Sequence, residues 1–390
     1  MQGTVSVLPP DFTLLQVTPE LETGGAEQTT IDVARAVVQA GGRALVATRG
    51  GRMVSRLEED GGRLVEMPAQ SKNPLVMLGN AARLIDLIRK EKVSVVHARS
   101  RAPAFSALWA AHATRTPFVA TYHGVYHARS SLKRWYNAVM TRGDLVIANS
   151  EYTREHILAE HDIDPARVVT IPRGVDLARF DPRKVAPARV EFLRATWRLP
   201  LGKTAFLLAG RLTRIKGQLS IIEAAAKMKA AGREDFVIVF AGDDQGRSEY
   251  RREILDAINA ADLEGVVKVV GHCDDMPAAF MACDIALLPT LKPESFGRAA
   301  VEPQVMERPV IASDHGGVVE TVLEGETGWR VPPGDVDAWA AAMTAAIDAG
   351  DTRRRAMGQY AASRARRLYS VDAMCEATLQ VYARVLEGRP

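Results

Sequence analysis

Short apolar runs alternate with longer stretches of helical periodicity along the whole chain. In the first half the runs 11–17 (DFTLLQV), 43–48 (RALVAT), 93–97 (VSVVH), 117–121 (PFVAT), 144–148 (DLVIA) and 167–171 (RVVTI) predict strands, with helices such as 27–40 and 75–90 between them. In the second half the runs 204–210 (TAFLLAG), 235–241 (DFVIVFA), 266–270 (VVKVV), 284–288 (DIALL) and 309–312 (PVIA) repeat the pattern. A strand that is apolar at nearly every position is buried on both faces, and strands separated by helices pair in parallel. The expected fold class is therefore α/β, as two Rossmann-like, doubly wound parallel-sheet domains in tandem. The charged, proline-bearing segment 181–202 is the expected junction.

Length agrees with that division, because 390 residues exceed what one hydrophobic core organises. Cys273, Cys283 and Cys375 are scattered, with neither a disulfide framework nor zinc spacing, which points to a reducing compartment, the cytoplasm. Met1 to Pro10 lacks the features of a signal peptide, and no apolar run reaches the length of a membrane span. Charge is uneven. In residues 1–185, 24 Lys and Arg stand against 19 Asp and Glu, whereas residues 186–390 carry 26 against 28. From Lys92 to Gly143 there are eight basic residues and no acidic one. Such a stretch attracts anionic partners, or is simply a solvated face.

Candidate chemistry lies just after the expected strands, where open α/β sheets bind ligands. Residues 210–217 read Gly-Arg-Leu-Thr-Arg-Ile-Lys-Gly. Arg211 and Lys216 there can neutralise a pyrophosphate, although two surface cations would read the same in isolation. Residues 294–302 read Glu-Ser-Phe-Gly-Arg-Ala-Ala-Val-Glu and open into a helix. Ser295, Phe296 and Gly297 place backbone N–H groups at its start, an anion site. Glu294 can accept bonds from sugar hydroxyls and Glu302 from a ribose diol. In the first half, Thr23-Gly24-Gly25 precedes a helix and permits close backbone approach, or is merely a turn. The adjacent pairs Asp243-Asp244 and Asp274-Asp275 read as helix caps rather than as a metal motif.

The run Gly-Arg-Leu-x-x-x-Lys-Gly, then Glu-Ser-Phe-Gly-x4-Glu, then Ala-Ser-Asp-His-Gly-Gly-x-x-Glu at 312–320 resembles retaining glycosyltransferase family 4 over nearly the whole chain. The resemblance implies a GT-B fold of two Rossmann-like domains facing a central cleft. Residues 1–185 form the acceptor side, residues 186–369 bind the donor, and a helix at about 370–390 returns to the first domain. It implies no metal and no cofactor, the donor being a UDP- or GDP-linked sugar. Arg211 and Lys216 then hold the diphosphate, Glu294 the transferred sugar and Glu302 the ribose. Gly271 opens the loop beside the base, and Gly316, Gly317 and Glu320 line the same site. Gly25 faces the donor phosphates, and His123, in Tyr122-His123-Gly124, lies beside the scissile bond. Retention follows from same-face attack, with the leaving phosphate taking the acceptor's proton.

The segment His97-Ala-Arg99-Ser100-Arg101-Ala-Pro103 resembles members that build the lipopolysaccharide core. Arg99 and Arg101 suit a phosphate or carboxylate on an anionic acceptor, a lipid-linked glycan or, alternatively, a membrane lipid glycosylated directly. Arg173 stands where many relatives carry Asn and is a further candidate acceptor contact. Leu132, Trp135, Tyr136, Val139 and Met140 recur at helical spacing, with Lys133, Arg134 and Arg142 mostly opposite. That stripe is either a core-packing face or an amphipathic helix resting on the inner face of the plasma membrane. A nucleotide-sugar epimerase fits the basic first half less well, and a silent nucleotide-sugar-binding partner fits the intact Arg211, Lys216, Glu294 and Glu302 set less well. A dehydrogenase lacks GxGxxG after the first strand, and a nucleic-acid binder lacks a recognised module.

Overall fold

Alternate residues of one strand serve opposite cores in this protein, and that explains its unbroken apolar runs. The structure, a computed structural model, describes residues 8–22 and 24–388. In the first sheet β1 (Thr13–Val17), β2 (Arg43–Thr48), β3 (Arg63–Glu66), β4 (Val95–Ala98), β5 (Phe118–Tyr122), β6 (Leu145–Ala148) and β7 (Val168–Thr170) pair in parallel, in the order β3-β2-β1-β4-β5-β6-β7. Leu15 and Val17 of β1 and Phe118 and Ala120 of β5 face a core that includes Leu84, Ile88 and Phe105, from the helices Pro74–Glu91 and Arg101–Thr114. Leu14 and Val119 face the opposite core with Ile31, Val37, Met374 and Tyr382. The last two come from the helix Val371–Leu386, which packs on the helix Gly25–Gln39.

The second sheet repeats the plan. The strands β8 (Thr204–Ala209), β9 (Phe236–Ala241), β10 (Val267–Gly271), β11 (Ile285–Leu288), β12 (Val310–Ser313) and β13 (Gly328–Val331) run parallel in the order β10-β9-β8-β11-β12-β13. Phe206, Leu208, Ile238 and Phe240 bury one face with Trp339 and Met343, and Ala205, Leu207, Val237 and Val239 bury the other with Leu193, Trp197 and Phe280. Both sheets therefore reverse their winding beside the first strand, between β1 and β4 and between β8 and β11. The strand-end loops flanking such a point diverge and leave room for a ligand.

Three details differ from the sequence expectations. The chain divides into residues 1–174 with 371–390 and residues 175–370, so the boundary falls before Val175 rather than after residue 185. Packing places it there: Val175, Leu177, Phe180 and Val185 join the core of Trp197 and Leu199, and the Val175 N–H donates to the Tyr369 carbonyl at 2.7 Å. The edge strands β3 and β13 have no counterpart among the expected strands, because they are four residues long and mix polar with apolar positions. The stripe at 132–142 is not one helix. An α-helix spans Ser131–Asn137 and a 3-10 turn follows at Ala138–Thr141, which shifts the angular phase. Val139 and Met140 consequently enter the core, while Leu132 is 73% and Trp135 52% exposed. Among the described residues no helix is long and apolar enough to cross a membrane.

Candidate active site

In the second unit the loop after β8 lies directly on the loop after β11. Gly217 has φ 73°, and a Cβ on it would stand 1.9 Å from the Pro289 carbonyl oxygen, so only glycine permits this approach. The 3-10 turn Arg214–Lys216 then delivers Lys216, whose Nζ donates to Glu294 Oε1 at 2.5 Å. Both side chains are largely buried, at 19% and 22% exposure, which strengthens the pair relative to a surface one. Arg211 projects into solvent, and its guanidinium contacts Gln245 at 3.5 Å. Its guanidinium thus remains accessible to an anion.

The loop at 314–317 closes the other side. Cβ atoms on Gly316 and Gly317 would meet the carbonyl oxygens of Glu294 and Ser295 at 2.5 and 2.4 Å, and the Gly317 N–H donates to the Glu294 carbonyl at 2.8 Å. These contacts fix the backbone of Glu294 and Ser295. Gly297, at φ 82°, starts the helix Arg298–Val305, which presents its positive end to this loop. The Phe296 side chain is buried against Tyr369, so this residue offers a ligand its backbone alone. Glu302 is oriented by Arg298, whose Nε donates to its carboxylate at 2.8 Å. Gly271 ends β10 at φ 76°, and its carbonyl accepts from the Gly242 N–H. Beyond it Asp275 caps the helix Met276–Ala282. Asp243 and Asp244 brace the turn at Gln245 and Gly246 rather than capping a helix. Glu320 lies in the short helix Val318–Thr321, its carbonyl held by Arg364 and Tyr369.

One residue here went unnoticed in the motif that contains it. His315 approaches the Thr290 hydroxyl at 3.3 Å through Nε2, and burial lowers its pKa while the Glu294 charge raises it. Its proximity to Glu294 depends on the fold of two loops about twenty residues apart.

In the first unit Gly24 is extended, with φ 168°, and Gly25 begins its helix; neither requires glycine conformationally. Thr23 lies outside the described residues. His123 follows β5. Arg173 donates through one terminal nitrogen to His123 Nδ1 at 2.9 Å and to its carbonyl at 3.3 Å. Burial, then the charges of Arg173 and Arg99, hold the His123 pKa well below its usual value. The Arg173 guanidinium, expected at an acceptor, is thus engaged by His123.

Arg99 also departs from expectation. It is 3% exposed and turns inward, donating through Nε to Gln16 Oε1 at 2.8 Å and through a terminal nitrogen to the same oxygen. Gln16 in turn donates to the Thr30 carbonyl. Arg99 therefore ties β4 to β1 instead of meeting an acceptor, and burial lowers its pKa. Beside it His97 bridges the Tyr382 hydroxyl at 2.6 Å and the Thr121 hydroxyl at 2.7 Å. Arg101 alone of the pair lines an open cavity, of about 420 Å³, with Lys72, Ser100, Lys133 and Tyr136. Asn137 fixes its guanidinium at 2.8 Å, and the Tyr126 ring lies 4.0 Å away. Among the described residues, three cations and no carboxylate line this cavity. Lys72 and Lys133 carry no local signal in the sequence, since only the fold gathers them.

Comparison with known proteins bears on the family and the fold. Residues 23–179 match Glycosyltransferase Family 4, and residues 190–364 match Glycosyl transferases group 1. A solved glycosyltransferase from Rickettsia africae is 31% identical, with a TM-score of 0.90 over 97% of this chain and 100% of its own. Anabaena HepE in complex with UDP-glucose shares the fold, with a TM-score of 0.79 at 23% identity, over 96% of this chain and 99% of that one. The D-inositol 3-phosphate glycosyltransferase of Kineococcus radiotolerans is 33% identical over 265 residues, 64% of this chain and 59% of the relative. The chain spans about half to three fifths of the length of the curated relatives it matches.

Proposed function

We propose that this chain, which belongs to glycosyltransferase family 4 (Glycosyl transferases group 1), moves a hexose-type sugar from a nucleotide diphosphate donor to an anionic acceptor with retention of configuration. The observation that carries the reading is the Lys216–Glu294 pair in the loops that follow the neighbouring parallel strands β8 and β11, with exposed Arg211 in the same loop as Lys216. A cation at the departing diphosphate lowers the barrier as charge develops there. Glu294 takes the sugar hydroxyls, Glu302 the ribose, and the helix start at Ser295 to Gly297 a phosphate oxygen. The bond from the anomeric carbon to the phosphate oxygen breaks, the bond to the acceptor oxygen forms on the same face, and the acceptor's proton passes to the leaving phosphate. No metal is assigned a role. HepE, which binds UDP-glucose, supports a uridine donor.

For the acceptor we favour a phosphorylated, lipid-linked glycan such as lipopolysaccharide core, handled at the inner face of the plasma membrane. Support comes from the cavity of Lys72, Arg101 and Lys133 and from the exposed Leu132 and Trp135, with Arg142 over the Trp135 ring at 5.4 Å. An apolar, aromatic and cationic patch of this kind suits an anionic membrane. A free polyol phosphate is the second reading, favoured by the relatives named for inositol phosphate. The reading also assigns His123 to the transferred sugar, as the family resemblance implies.

Thermal-shift titration with UDP, GDP, ADP and CMP, each with its sugar conjugates, tests the donor site. Stabilisation by one nucleoside diphosphate is expected, because a ligand of the native state raises the melting temperature. Absence of any shift would remove Arg211, Lys216 and Glu302 from the assignment.

A further inference from the structure

Arginine carries hydrogen-bond donors and no acceptor, so its contact with an imidazole nitrogen identifies the lone pair of that ring. Arg173 donates to Nδ1 of His123 at 2.9 Å. Nδ1 is therefore the unprotonated nitrogen, and in the neutral ring the hydrogen resides on Nε2. We propose that Arg173 is a positioning residue that locks His123 as the neutral Nε2–H tautomer, making it a fixed hydrogen-bond donor and barring it from acting as a proton acceptor in sugar transfer. The inference rests on the placement of His123 at the transferred sugar.

Three features act together. The same Arg173 nitrogen that meets Nδ1 also donates to the His123 carbonyl at 3.3 Å, so ring and backbone are clamped by one group. Burial and the positive charges of Arg173 and Arg99 oppose protonation of the ring. His97 is itself kept neutral by burial, and Tyr126 hydrogen-bonds to the His123 backbone. Arg99 cannot relax away, because Gln16 holds it. A histidine so placed neither gains nor loses a proton near neutrality. Its Nε2–H can stabilise a sugar or phosphate oxygen, and the acceptor's proton must go elsewhere, to the leaving phosphate. An asparagine at position 173 could contact the ring through either its amide nitrogen or its oxygen and so would leave the tautomer open; arginine removes that freedom.

The test is imidazole nitrogen NMR on the 390-residue chain labelled with ¹⁵N-histidine, the His123 signals being those lost in His123→Gln. The expected spectrum shows an unprotonated Nδ1 and a protonated Nε2, unchanged from about pH 5.5 to 8, a span across which a free imidazole titrates. Arg173→Ala is expected to give a tautomer mixture that titrates and a roughly tenfold loss of turnover, within the range for one positioned hydrogen bond. Arg173→Lys, which retains a donor, is expected to restore the tautomer and most of the rate. A protonated Nδ1, a ring that titrates near neutrality in the unaltered protein, or an unchanged tautomer in Arg173→Ala would overturn the proposal. Full activity of His123→Gln beside the expected spectrum would instead remove His123 from the reaction, and with it the catalytic part of this inference.

Discussion

Lys216 and Glu294 lie 78 positions apart and meet at 2.5 Å, the first on the loop after β8 and the second on the loop after β11. Without donor, each neutralises the other, which keeps two partly buried charges satisfied where removal of one partner would strand the other. In the proposed reaction, a diphosphate arriving beside Lys216 would offer it a stronger partner and leave Glu294 to the sugar hydroxyls.

Lys216→Ala is accordingly expected to lower turnover by about 10²-fold, the scale for loss of one charge-stabilising group, with the fold retained. Steady-state rates with circular dichroism check this. Wild-type turnover in a folded variant would dismiss Lys216 from the mechanism.

Acceptor recognition is expected to depend on Arg101 and Lys133 rather than on Arg99. The double substitution Arg101→Ala with Lys133→Ala should raise KM for a phosphorylated acceptor by about tenfold or more, as for loss of charge-assisted bonds, and leave donor affinity alone. Calorimetric titration of UDP separates the two effects. A fall in donor affinity of equal size would show that the cavity serves the donor instead.

Arg99→Ala is expected to act on stability. It leaves buried Gln16 Oε1 without its donors and opens a void, at a cost of about 1–3 kcal/mol. Urea unfolding of the first unit's signal measures it. An unaltered midpoint would mean that the β1–β4 tie is immaterial.

Acid should destabilise the protein before its carboxylates titrate. His97 and His123 are neutral in the folded state, their pKa values held well below the ordinary one by burial. The unfolded chain therefore binds more protons as pH falls below about 6.5, the ordinary histidine value. Stability contributed by the neutral rings is present above that pH and declines below it, by up to about 1.4 kcal/mol per pH unit for each ring. Urea midpoints at successive pH values test the slope. His97→Gln should flatten it, and an unchanged slope would exclude His97 as its origin.

Much of the architecture was legible beforehand because strands buried on both faces leave an unmistakable apolar run. The glycine-bounded loops after the strands and the Glu294 to Glu302 helix start follow from local sequence, whereas the switch points depend on strand order, which only the folded sheets show. Arg99 and Arg101 show where that legibility stops. Two positions apart after the same strand, one turns under the sheet to Gln16 and the other opens onto Lys72 and Lys133. No local feature separates them, since the choice depends on whether a buried acceptor lies within reach.

The sequence by itself determined two parallel α/β units and the motif residues that follow their strands, because periodicity and glycine placement are local properties of the chain. Tertiary structure alone decided the boundary at Val175, the division of 131–141 between core and surface, and the partners of Arg99, Arg173 and Lys216. Those outcomes depend on which distant group supplies a hydrogen-bond acceptor or an apolar neighbour, and only the folded chain brings such groups together.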